Sequence, residues 1–126
     1  MSESLSHKIL ALAQEQLHSA EVLYRERQFR DSISRSYYAV FHAARALVEA
    51  AGATPKKQEG VISHFDREFV KAGRLSKQLS KILHEVKNLR EISDYEESWQ
   101  ATGDKAQKML DGAKLFIKEV ERFLST

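Results

Sequence analysis

Between Ile33 and Ala51, the run ISRSYYAVFHAARALVEAA reads as an α-helix whose circumference divides into three faces. At about 100° per residue, Ile33, Tyr37, Val40, Phe41, Ala44, Leu47, Val48 and Ala51 gather on one broad apolar face. Arg35, Tyr38, His42, Arg45 and Glu49 fall in a narrow polar stripe on roughly the opposite side. Ala39, Ala43, Ala46 and Ala50 line a third strip. Burial against a single core requires only the apolar face. The alanines allow another helix to come close, whether from the same chain or from a second subunit. The polar stripe offers side chains to a ligand.

The rest of the chain follows the same periodicity. With one proline and five glycines in 126 residues, apolar residues recur at helical rather than alternating spacing almost throughout. A first helix is predicted from about Leu5 to Arg27, with Leu5, Ile9, Leu12, Leu17, Ala20 and Leu23 or Tyr24 facing inward. A break at Gln28–Asp31 leads into the second helix, which stops at Gly52, followed by the connector Ala53-Thr54-Pro55. A third helix spans about Gln58 to Lys71 and ends at Gly73. The fourth runs from about Ser76, a good N-cap, to Ile92. Ser93–Gly103 is polar and irregular apart from Tyr95 and Trp99, and a last helix covers about Asp104 to Leu124. Amphipathic helices on short connections predict an all-α fold, an antiparallel up-and-down bundle of four to five helices, as one domain over residues 1–126.

Composition narrows the chemistry. Twenty Lys and Arg against 18 Asp and Glu leave a net charge of +2, so a basic site would have to come from charge distribution rather than from the total. The absence of cysteine excludes a disulfide framework, a thiolate metal site and a cysteine nucleophile. No apolar run reaches the roughly 20 residues of a membrane span, and MSESLSHKIL lacks the layout of a secretory signal. A cytoplasmic protein that does not engage membranes is the expectation. There is no glycine-rich phosphate loop, HExxH helix or GxSxG elbow. His7, His18, His42, His64 and His84 are not spaced to share a metal along one helix, so neither metal nor cofactor is expected.

Two segments carry candidate chemistry. In the second helix, Arg35 and Arg45 are suited to phosphate, Tyr38 to stacking on a base, and His42 to moving a proton near neutral pH. In Leu89-Arg90-Glu91-Ile92-Ser93-Asp94-Tyr95-Glu96, an arginine at a helix end is followed by an Asp-Tyr pair within about a turn. Arg90 can hold phosphate, Asp94 can act as a base or hold an arginine, and Tyr95 can donate a proton or stack. The alternative for both segments is a solvated helix face and a capped helix end.

Ser34-Arg35-Ser36-Tyr37-Tyr38-Ala39-Val40-Phe41-His42-Ala43-Ala44-Arg45-Ala46-Leu47 resembles the second-helix signature of HEPN domains, helical bundles named for nucleotide binding in higher eukaryotes and prokaryotes. Gly60-Val61-Ile62-Ser63-His64-Phe65, Glu68-Phe69-Val70 and the Leu89–Tyr95 end resemble the prokaryotic, toxin–antitoxin-associated branch, and the likeness runs from about Leu5 to Leu124. The resemblance implies a homodimer with a minimal nucleotidyltransferase as partner. In active HEPN ribonucleases, an arginine and a histidine four to six residues apart cleave RNA without metal, two copies meeting across the dimer. Here Asp94, Tyr95 and Glu96 stand where that histidine would, and no histidine follows Arg90. The reading that follows is a dimeric nucleotide- or RNA-binding subunit using Arg35, Tyr38, His42, Arg45, Arg90 and Tyr95. The alternatives are a ribonuclease toxin with a variant site of Arg90, Asp94 and Tyr95, and a non-catalytic scaffold.

Overall fold

A computed structural model describes residues 4–125. Its regular structure is helical: α1 (Leu5–Arg25), α2 (Phe29–Ala50), α3 (Gln58–Phe65) continued directly by a π-helical segment (Asp66–Lys71), α4 (Lys77–Tyr95) and α5 (Gly103–Leu124). The helix starts are set by side-chain caps. Ser4 accepts from the His7 N–H, Ser76 from Gln78 and Thr102 from Lys105, each meeting a donor that the first turn leaves unpaired. Gly52 and Gly73 end α2 and the π segment at φ of 84° and 80°. Arg27 closes α1 in the same way at φ 60°, a conformation that costs a residue with a Cβ about 1 kcal/mol or more.

Neighbouring helices run antiparallel where their contacts can be ordered. On α1 and α2, Ser32 donates to the Ala20 carbonyl at 2.8 Å and Arg35 to Gln16 Oε1 at 3.0 Å, so one numbering rises as the other falls. This is the expected all-α bundle.

α2 is its hub, packing against each of the other four helices. Ala39, Ala43 and Ala46 are completely buried within the single chain, so the partner of the alanine strip is internal; Ala50 alone of the four is exposed. The small side chains let two layers close on α2 from different sides. Beyond it, Phe65, Phe69, Phe116 and Phe123 form an aromatic cluster with centroids 5.4–6.1 Å apart, joining α3 and its π continuation to α5.

Three expectations need correction. Leu5, expected inward, is 54% exposed, and Leu10 and Ala13 are buried, because α1 presents a slightly rotated face to α2. The break before α2 is only Glu26–Gln28, and Phe29 and Arg30 are already helical. Finally, α4 does not stop at Ile92 but continues through Tyr95. This last difference matters for the site, because it places Arg90 and Asp94 one turn apart on a single helix.

Candidate functional site

The polar stripe of α2 and the end of α4 meet through one pair of residues. The Arg90 Nη2 group donates to the Tyr38 hydroxyl at 2.9 Å. The guanidinium carbon lies 5.1 Å from the Tyr37 ring centre and 5.0 Å from that of Tyr38, within cation–π range of both. Arg90 Nε stands 3.2 Å from Asp94 Oδ2. That contact is an ion pair rather than a hydrogen bond, since the buried Nε–H is not aligned on the carboxylate. The Arg90 side chain keeps 24% of its surface exposed. It is a cation fixed in place yet reachable from solvent.

The aromatic ring pair that cradles it is held from behind. Tyr37 is buried, its hydroxyl accepts a hydrogen bond from the Gln58 side-chain amide of α3, and burial pushes its pKa far above the usual phenol value even though Arg90 pulls the other way. Tyr37 therefore stays neutral and serves as a wall. Tyr38, half-buried, is edge-on to Tyr37 at 5.2 Å.

His42 sits one turn along, its ring 6.3 Å from that of Tyr38 and 5.5 Å from that of Phe41. Its pKa is lowered from 6.5, first by burial and then by the nearby positive charge of Arg45. Its Nδ1 is buried with no hydrogen-bond partner. At neutral pH the ring is uncharged, so it suits accepting a proton and not holding an anion.

The other sequence candidates scatter. Arg35 is exposed and directed to Gln16 of α1. Arg45 is half-buried beside His42 and lacks a carboxylate within ion-pair distance among the described residues. Tyr95 is 84% exposed at the last position of α4, so it neither packs over the bundle end nor joins the Arg90 cluster. No three His, Asp or Glu side chains among the described residues converge as ligands for one metal ion.

Sequence reasoning missed Arg30. From the first turn of α2 it donates to the backbone carbonyls of Ser93 and Trp99, with its guanidinium 5.7 Å from the Trp99 ring centre. Ser93, buried, in turn donates to the Arg90 carbonyl at 3.2 Å. Arg30 thus ties down the last turn of α4 and positions Arg90 and Asp94. The apparent helix break at Gln28–Asp31 concealed it. The only sequence signal was an arginine of no assigned face next to Phe29.

A HEPN domain model matches residues 6–123, nearly the whole chain. The chain belongs to the HEPN family. It is 32% identical over 116 residues to a candidate toxin of the archaeon Methanocaldococcus jannaschii, covering 92% of this chain and 86% of that one. A second candidate toxin of the same organism is 28% identical over 117 residues, covering 93% and 80%. An UPF0332 protein of Thermotoga maritima is 30% identical over 112 residues, covering 89% and 85%. The HEPN signature in α2 and the Leu89–Tyr95 end are the two segments that Tyr38 and Arg90 join in space. No helix in the described residues is long and apolar enough to cross a membrane.

Proposed function

We propose that this HEPN protein is a toxin-like subunit of a toxin–antitoxin pair that binds a nucleotide or RNA, acting as a homodimer with a minimal nucleotidyltransferase as partner. The observation that carries the reading is Arg90, held by the Tyr38 hydroxyl at 2.9 Å and by Asp94 at 3.2 Å against two tyrosine rings. A guanidinium pre-positioned in this way keeps its remaining N–H groups for a phosphate and loses little entropy on engaging one. Arg45 adds positive charge beside His42, Arg35 adds an exposed cation further along α2, and Tyr95 offers an exposed ring for a base. The likeness to candidate toxins supports the same context.

Binding ranks ahead of cleavage because the cluster contains no cationic imidazole. His42 is neutral at pH 7, and Asp94 is occupied with Arg90. The ribonuclease reading is kept for one reason: His42 is a half-buried neutral imidazole one turn from Tyr38, and a neutral imidazole can take the proton of a 2′-hydroxyl.

The test is incubation of the pure protein with labelled RNA in EDTA, followed by affinity measurements with ATP and short RNA. The expected result is RNA binding without cleavage, weakened at least 10-fold by Arg90→Ala. Cleavage abolished by Arg90→Ala replaces binding with catalysis. Equal affinity of wild type and an Arg35→Ala/Arg90→Ala variant leaves only a scaffold.

A further inference from the structure

A second surface lies between the α3–π element and α4. It is an open groove of about 940 Å³ lined by Glu59, Ile62, Ser63, Asp66, Arg67, Val70 and Lys71 on one wall and by Lys77, Ser80, Lys81, His84 and Lys87 on the other. Five lysine and arginine side chains line it against two carboxylates, Glu59 and Asp66.

The way these charges are paired keeps the field positive. Asp66 accepts from the Ser80 hydroxyl at 2.7 Å and binds His84 Nε2 at 2.7 Å. Its side chain is only 23% exposed, so the carboxylate is spent on α4 and little of it faces an incoming anion. Arg67 is paired with Glu68 and Lys87 with Glu91. Lys71, Lys77 and Lys81 are exposed and have no carboxylate within ion-pair distance among the described residues. One wall is the π-helical segment, a form that is rare and recurs at functional sites.

We propose that this groove grips the sugar–phosphate backbone of a single-stranded RNA and leads it toward Arg90. The polynucleotide reading above supplies the class of ligand, and the groove itself is a separate site. From Lys77 to Lys87 the α4 wall rises about 15 Å, long enough to lie along several successive phosphates of one strand. Lys87 stands three residues before Arg90 on the same helix, so the groove opens within one turn of the Tyr38–Arg90 cluster. Its cations are mainly lysines, point charges suited to a repeating phosphate chain. Arg67, the one arginine of the groove, is already engaged by Glu68. No Phe, Tyr or Trp among the described residues lines the groove, and the His84 ring is tied to Asp66, so recognition there is of backbone and independent of sequence.

The experiment is a fluorescence-anisotropy titration of a labelled 12-nucleotide oligouridine in EDTA, from 50 to 300 mM KCl. It compares wild type, Lys71→Gln/Lys77→Gln/Lys81→Gln, the same triple changed to arginine, and Arg90→Ala. The glutamine triple is expected to bind at least 10-fold more weakly at low salt. Its log–log salt slope should be shallower by about 2, at roughly 0.7 per lost phosphate contact. The arginine triple should retain both affinity and slope. A glutamine triple that binds like wild type while Arg90→Ala fails overturns the groove and leaves the Arg90 site standing. The reverse pattern keeps the groove and removes the Arg90 reading. Failure of wild type to bind at 50 mM, or equal binding of oligoglutamate, overturns the groove assignment.

Discussion

Two regions that share α4 hold positive charge in opposite ways. At the Tyr38–Arg90 cluster a single guanidinium is wedged between two rings, tied to a hydroxyl and a carboxylate, and three-quarters covered. In the α3–α4 groove several lysines stand in solvent without partners, and the one carboxylate among them that is largely covered is turned away into hydrogen bonds with Ser80 and His84. The first arrangement gives a cation precise direction and builds it into the bundle. The second gives charge without direction, at no cost to packing. The two should therefore separate cleanly when stability and RNA affinity are measured on the same variants.

The largest effect on that separation should come from Ala43→Leu. Ala43 is fully buried where α2 is enclosed by its neighbours, and added volume there forces the helices apart at a cost of about 2–3 kcal/mol. Because the cluster is assembled across the α2–α4 contact and the groove is not, urea unfolding should show the loss, and residual RNA binding should keep the salt slope of the groove. A variant as stable as wild type would show that α2 is less tightly enclosed than its burial indicates.

A smaller effect should come from the charges themselves. Arg90→Ala removes a half-buried hydrogen bond and two cation–π contacts and should cost about 1–2 kcal/mol. The groove triple Lys71→Gln/Lys77→Gln/Lys81→Gln should change each site by less than about 0.5 kcal/mol, as exposed substitutions do. Similar urea midpoints for both variants would erase the contrast.

The smallest effect concerns pH. His42 has a pKa held below 6.5 by burial and by Arg45, so below pH 6.5 the unfolded chain takes up a proton that the folded chain resists. The stability contributed by His42 is lost as pH falls from 6.5 through the lowered folded value and is restored above 6.5. His42→Gln should make the fall in urea midpoint between pH 7.5 and 5 shallower. An unchanged pH profile would show that the imidazole is better solvated than its unpartnered Nδ1 suggests.

Much of the cluster could be read in advance because both halves carry local patterns. Tyr38 and His42 lie on one stripe of α2, and Arg90, Asp94 and Tyr95 are close in sequence. What could not be read was which of them meet. Extending α4 by one turn brought Asp94 under Arg90 and left Tyr95 in solvent, while Arg35 went to α1. Arg30 was hidden because its partners are backbone carbonyls more than 60 residues away, which have no sequence signature. The groove was hidden for a related reason. Asp66, Ser80 and His84 are ordinary surface residues until two helices face each other.

The sequence by itself determined the helices, the bundle and the family, because periodicity, caps and stop residues act within a few residues of one another. It also determined that α2 would carry an apolar face, a polar stripe and an alanine strip, because these follow from residue spacing along one helix. Only the tertiary structure decided that the alanine strip faces inward within one chain, that Arg90 rests on Tyr37 and Tyr38, and that three unpaired lysines share a groove. Those outcomes depend on how whole helices rotate and settle against each other. That is fixed by the summed packing of the core, not by any local run of residues.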